Sequence, residues 1–279
     1  KKMVEKQKSI IGLITDFGLH GSHYVASMKG VILKINPLVK IIDVSHAITS
    51  YSIIEASFIL KTTYSFFPEK TVFIVVVDPG VGSSREILAL RTKSNHVFIG
   101  PNNGIFANVF EMNEINLCIK IENEQYFIEP ISKTFQGRDI MAPVAAYITL
   151  GVNLRELGTE FKLENIKLTP LEYKILNKGK KITCHLQYID EFGNGITNFP
   201  INEESINNPI VSLEEGDLIT LEYKNRTYEG TFTTHFNKSS PGSLLFLKGS
   251  TGYLEISMNQ ENAARYIGFK VGDLISINL

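Results

Sequence analysis

The sequence predicts an α/β fold in two parts: a mostly parallel α/β sandwich domain over residues 10–165 and a smaller all-β barrel domain over 180–279. Two observations carry this. In the first half, short apolar runs alternate with helix-period stretches, the pattern of a parallel sheet with right-handed crossovers. After about residue 165 the helical stretches give way to short β-branched and aromatic runs separated by turn residues, the pattern of a small barrel or sandwich.

Ile10–Ile14 reads as the first strand, ending at Thr15-Asp16-Phe17-Gly18. A helix follows from about Ser22 to Ile35, with Ser22 as N-cap and Tyr24, Met28, Val31, Ile32 and Ile35 on one stripe. Asn36-Pro37 ends it. Lys40–Val44 is a second strand, and Ser52–Phe66 a mostly buried helix stopped by Pro68. Val72–Asp78 is an uninterrupted apolar run closed by a carboxylate, as expected of a strand buried on both faces. Ile87–Arg91 and His96–Ile99 form a hairpin, and Pro101-Asn102-Asn103-Gly104 is a turn. A helix from Asp139, its cap, to Leu150 is closed by Gly151. Lys178–Lys181 reads as a linker. Beyond it, strands are expected at Ile182–Ile189, Leu218–Tyr223, Thr227–Thr234, Ser243–Leu247 and Tyr253–Ser257, with one short helix at Gln260–Ile267.

With 43% hydrophobic and 20% charged residues and a net charge of −1, the 279-residue chain has a globular composition and no basic stripe for nucleic acid. The apolar run Ile10–Ile14 is too short for a signal-peptide core or a membrane span, so no membrane partner is expected. Two cysteines, Cys118 and Cys184, exclude a cysteine zinc site and a disulfide framework, and fit a reducing cytoplasm. The six histidines include no H-E-x-x-H pair, so a metal site is not expected.

In open α/β sheets ligands sit beyond the carboxyl ends of the strands. Asp78 is placed there, with Arg85 seven positions on; a salt bridge that merely pins the loop is the alternative. Gly80–Arg85 imitates the start of a dinucleotide fingerprint. It fails because Arg85 replaces the third glycine and the next segment reads as strand. Asp16 ends the first strand on the same edge, where a carboxylate can hold a ribose diol or simply cap a turn. Asp43 is a third candidate, though it lies inside its run and could be a buried hydrogen-bonding group. Asp190-Glu191-Phe192-Gly193-Asn194 is a turn that could also present an amide and a carboxylate to a ligand.

Taken in order, several segments carry a specific resemblance: T-D-F-G at 15–18, Y-V-A-S-M-K-G-V-I-L at 24–33, V-D-P-G-V-G-S-S-R at 77–85 and P-N-N-G at 101–104. T-F-Q-G-R-D at 134–139, I-D-E-F-G-N at 189–194 and S-T-G-Y-L-E-I at 250–256 complete the set. The set resembles the S-adenosyl-L-methionine (SAM) hydroxide adenosyltransferases, the SAM hydrolases related to SAM-dependent fluorinases and chlorinases. The resemblance implies SAM as substrate, adenosine and methionine as products, no cofactor, and a homotrimer with its site at the subunit interface. It implies Asp78, Arg85 and the residue at 136 around the reacting water, with Gln136 replacing the family's histidine. Retention of Asp78 implies water rather than halide as nucleophile. It further implies substrate contacts from Asp16, Tyr51, Phe135, Asp190, Phe192, Asn194, Ser250 and Thr251. A SAM- or adenosine-binding protein without turnover is the alternative, because of Gln136.

Overall fold

The computed structural model describes residues 9–169, 171–201 and 211–279, and the chain divides into two compact units, Lys1–Thr169 and Pro170–Leu279. Unit 1 runs β1 (Ile10–Thr15), α1 (Ser22–Ile35), β2 (Lys40–Ser45), α2 (Ile53–Thr63) and β3 (Val72–Val76). It continues with β4 (Ile87–Thr92), β5 (Val97–Pro101), β6 (Ile115–Ile121), α3 (Ala142–Thr149) and β7 (Gly158–Glu160). These strands form one sheet in the order β2-β1-β3-β5-β4-β6-β7. The first four in that order are parallel, and β4, β6 and β7 extend the sheet antiparallel.

The period of two along β3 explains its unbroken apolar run. Val72, Ile74 and Val76 face a core that includes Met28 and Ile32 of α1 and Val144 and Ala145 of α3. Phe73, Val75 and Val77 face a second core with Ala56 and Leu60 of α2. Both faces of the sheet are therefore covered, and side chains at the end of β3 are the first free to meet a ligand.

The expected helices and strands of this half are present, with local differences. Ser22 is the first helical residue rather than the cap, which is Gly21 and makes no side-chain capping bond. Tyr24 is exposed and Val25 takes its place in the buried stripe. Ser52, expected as the first helical residue, is instead the cap of α2, accepting from Glu55 N–H at 3.4 Å. Asp139 caps nothing. A π-helical turn, Gly137–Met141, precedes α3 and contains Asp139, which is buried and doubly bonded by Arg138. β2 is an edge strand and Asp43 is 45% exposed, not buried.

Unit 2 comprises β8 (Lys174–Leu176), β9 (Lys181–Ile189), β10 (Gly195–Pro200), β11 (Leu218–Tyr223), β12 (Arg226–Phe232), β13 (Leu244–Lys248), β14 (Tyr253–Met258), α4 (Ala263–Ile267) and β15 (Leu274–Asn278). The order β10-β14-β13-β12-β11-β15-β9 closes through a β10–β9 pairing into a seven-stranded barrel, and β8 is added to β9. Closure removes free sheet edges and encloses Leu186, Phe199, Leu221, Phe246, Leu254 and Ile256. Lys178–Lys181, read from sequence as a linker, is the turn between the paired strands β8 and β9 and includes the first residue of β9.

Cys118 and Cys184 are free and buried, and burial pushes each thiol up to about 12. Among the described residues no helix is long and apolar enough to cross a membrane.

Two predictions follow from packing and charge. A Cβ on Gly12 would lie 2.7 and 2.9 Å from the Phe73 ring, itself stacked on Phe98 at 5.4 Å. Gly12→Ala should therefore cost about 1–3 kcal/mol, read as a lower urea midpoint at unchanged m; an unchanged midpoint would mean the ring moves aside freely. Burial, with a smaller contribution from the Asp190 charge, holds the Glu255 carboxyl above its ordinary value despite a 2.9 Å bond from Ser257. Its ionisation is thus harder in the folded than in the unfolded chain. The stability it contributes is complete below about pH 4.5 and is lost as pH rises through the raised folded value. Glu255→Gln should raise the melting temperature at pH 7 and lose that advantage below pH 4.5; equal melting at both pH values would contradict this.

Candidate active site

Four loops of unit 1 build a cavity at the carboxyl end of β1 and β3. Its volume is 230 Å³, and Asp16, Tyr51, Asp78, Phe135 and Gln136 all line it. Five of the residues singled out by sequence are thus brought together by side chains from positions 16 to 136.

Asp78 follows β3 after the buried Val77. Asn103 holds that turn from the side: its amide donates to the Val77 carbonyl at 2.9 Å, and its oxygen accepts from Ile105 N–H at 3.2 Å. This gives the P-N-N-G segment a structural purpose. Asp78 Oδ1 accepts from Gly80 N–H at 3.2 Å, and Oδ2 is ion-paired with Arg85 Nη2. The side chains are only 4% and 10% exposed. Arg85 Nη2 also donates to Gln136 Oε1 at 2.6 Å. A guanidinium only donates, so it requires the amide oxygen to face it. The Gln136 NH₂ group is therefore a donor with no partner among the described residues.

The loop carrying Arg85 can reach the loop carrying Gln136 because of Gly82. Its φ is +81°, and an added Cβ would sit 2.3 Å from the Lys133 carbonyl oxygen. Glycine here relieves a collision between the two loops and serves no dinucleotide.

Asp16 lies on the opposite wall. Its Oδ2 accepts from Tyr51 N–H at 2.8 Å, and Tyr51 is held at φ +70° with 69% of its surface exposed. A non-glycine residue in this region is strained, and such strain collects at functional sites. Phe135 meets Phe17 at 5.8 Å and Tyr24 at 5.2 Å, both edge-on, and Arg138 lies 5.2 Å over its ring. The aromatic wall is thus broader than sequence suggested. Phe17, Ser50, Val81 and Thr134 also line the cavity and were not singled out. Their only signal was proximity in sequence to residues that were.

Unit 2 has its own, larger cleft of 870 Å³. Phe192 and Asn194 line it. Asp190 stands behind, accepting from Asn194 N–H at 2.9 Å and from its side-chain amide at 2.8 Å. The D-E-F-G-N turn therefore locks the amide rather than offering both groups freely. Ser250 and Thr251 are exposed on the β13–β14 turn, apart from this cleft. Phe236, Met258, Asn259 and Gln260 line it and were missed. Gln260, at φ +60°, is like Tyr51 a non-glycine residue in the left-handed region that lines a cleft. No sequence signal marks that conformation.

Known proteins resemble this chain in sequence and fold. The chain matches the SAM hydroxide adenosyltransferase N-terminal domain over residues 11–158 and the corresponding C-terminal domain over 184–276. It is 35% identical to an (R)-S-adenosyl-L-methionine hydrolase of Methanocaldococcus jannaschii, covering 96% of this chain and 95% of that one. A fluorinase of Nocardia brasiliensis is 22% identical, with 98% of each chain covered. The crystal structure of an uncharacterized conserved protein from Thermotoga maritima superposes with a TM-score of 0.86 at 34% identity, covering 96% of this chain and all of that one. The ordered motifs, the α/β sheet, the barrel and these matches agree: the chain belongs to the SAM hydroxide adenosyltransferase family.

Proposed function

We infer that the chain hydrolyses SAM by attack of water at C5′, releasing adenosine and L-methionine. The observation that carries the mechanism is the Asp78–Arg85–Gln136 cluster, a carboxylate, a guanidinium and a free amide donor joined at one cavity. The new bond is O–C5′ and the broken bond is C5′–S. The electron pair leaves with sulfur, which passes from sulfonium to neutral thioether. The water proton passes to Asp78 and then to solvent. Negative charge develops on the attacking oxygen beside Arg85, where a fixed positive group in a water-poor site is most effective. The Gln136 NH₂ group orients the water but cannot take its proton at neutral pH. Alignment of oxygen, C5′ and sulfur contributes several kcal/mol more.

Asp16 is assigned to the ribose hydroxyls through Oδ1, with Tyr51 and Phe135 against the nucleoside. Phe192 and Asn194, held by Asp190, are assigned to the adenine or methionine end, and Ser250 and Thr251 to the methionine carboxylate and amine. We further infer a homotrimer in which the unit 2 cleft of a neighbouring copy completes the unit 1 cavity. That cavity is smaller than the roughly 300–1,000 Å³ of ordinary ligand pockets, and exposed Tyr51 and Phe192 are the kind of aromatic surface a ligand and partner cover. A cytoplasmic location is supported by two unpaired, buried cysteines.

Incubation with each sulfonium epimer of SAM, followed by nucleoside chromatography, tests the reaction; the Methanocaldococcus relative is described for the (R) form. Adenosine and methionine should form in equal amounts. Intact SAM with tight binding would instead identify a binding protein. Asp78→Asn should cut turnover about 10²–10⁴-fold while keeping the shape beside Arg85; undiminished turnover would remove Asp78 from the mechanism. Gln136→His should raise turnover and add a pH dependence near the ordinary imidazole value of about 6.5; a flat, unchanged profile would mean that position 136 only orients the water and that a proton acceptor there gains nothing. Light scattering should give three times the monomer mass of 31.3 kDa, and a monomer that retains full activity would refute the shared site.

A further inference from the structure

We propose that His46 is a positioning residue for this site, fixing the Thr15–Gly18 turn that carries Asp16 into the cavity. The proposal rests on the assignment of Asp16 to the ribose.

His46 follows β2 directly. The β1–β2 register slips between Leu13 and Ile14: Leu13 pairs with Asp43, but Ile14 pairs with Ser45. This one-residue bulge brings the next residue of each strand, Thr15 and His46, level with one another. Two bonds then join His46 to the turn. Its carbonyl accepts from Gly18 N–H at 2.8 Å, and its ring Nδ1 lies 2.9 Å from Thr15 Oγ1. Both ends of the turn are thus held by one residue, with Asp16 between them.

The ring is held in turn from outside. Nε2 is 3.0 Å from Asp43 Oδ1, and Lys29 Nζ is 2.6 Å from Asp43 Oδ2. A carboxylate only accepts, which assigns the ring proton to Nε2 and leaves Nδ1 as acceptor for the Thr15 hydroxyl. Thr15 is fully buried, and its oxygen accepts from Phe17 N–H at 3.3 Å. Lys29 donates to Asp43, the Nε2 edge of His46 faces the same carboxylate at 3.0 Å without an aligned hydrogen bond, Thr15 pairs with His46, and Phe17 donates to Thr15. Burial alone would raise the Asp43 carboxyl, but the bonds from Lys29 and His46 outweigh it and hold it below its ordinary value. Asp43 therefore stays ionised at neutral pH, as the series requires.

The residues on either side of Asp16 are fixed by this series, and Asp16 in turn fixes Tyr51 through its backbone N–H. Loss of the ring should leave the turn tied to residue 46 by the Gly18 bond alone. The carboxylate would then have to be ordered by the ligand, weakening ground-state and transition-state binding alike.

Calorimetric binding of adenosine and 2′,3′-dideoxyadenosine tests this without turnover. The wild type should prefer adenosine, and Asp16→Ala should abolish the preference. His46→Leu should reduce that preference about tenfold, raise KM for SAM by a similar factor and leave kcat nearly unchanged. In the Asp16→Ala background, His46→Leu should have no further effect, as for two residues acting through one contact. Asp43→Ala cuts the series at its half-exposed end and should reduce the preference in the same direction, so it decides the matter if His46→Leu fails to fold. A preference retained in both variants, or equal losses with and without Asp16, would overturn the proposal while leaving the ribose assignment intact. No preference in the wild type would overturn that assignment and the proposal together.

Discussion

A guanidinium withdrawn from water must be met by acceptors, and Arg85 is met by two that lie on separate loops. Asp78 supplies the charge that makes its burial tolerable, and Gln136 supplies a second oxygen. Removing one partner of a buried ion pair typically costs about 3–5 kcal/mol, so these loops are held together by more than packing. Everything around them is arranged to let this happen. β3 ends just before Asp78, Asn103 holds the turn, and Gly82 lets the chain pass against Lys133. The π-helical turn begins at Gly137, so Gln136 is held at the mouth of a wide, non-standard helical start. Such turns recur at functional sites because the extra residue turns a side chain away from the regular helix path.

How much of this was legible in the sequence depended on the range of the interaction. Strands β1 and β3 were clear because burial on one or both faces writes itself directly into apolar runs. Asp78 and Arg85 stood out because a carboxylate at a strand end followed by a nearby guanidinium is a local pattern. Strands β6 and β7 were missed because their partners lie far along the chain, β8 because it is a three-residue addition to β9 outside the barrel, and β10 and β15 because pairing across the barrel rather than a long apolar run defines them. Asp139 looked like a cap because the helix seemed to start there, whereas the chain enters through a π turn that buries it. The amide oxygen of Gln136 bonding Arg85 was illegible: the two are 51 positions apart, and nothing local links them.

The same distinction separates the two clefts. In unit 1 the lining residues cluster at strand ends, where fold rules direct attention. In unit 2 they come from turns, a strand end and the short helix α4, spread between Phe192 and Tyr266, with no shared period. The motif that did mark that cleft, Asp190 to Asn194, is informative because the aspartate is spent on orienting the asparagine. A polar pair in a turn can thus be a single functional group and its support.

The two buried thiols have a practical consequence. Held near 12, neither Cys118 nor Cys184 presents a thiolate at neutral pH. The folded chain is therefore a silent background for maleimide labelling. A single cysteine introduced at an exposed position beside either cleft would carry a fluorophore alone, and its emission would follow the arrival and departure of ligand in real time.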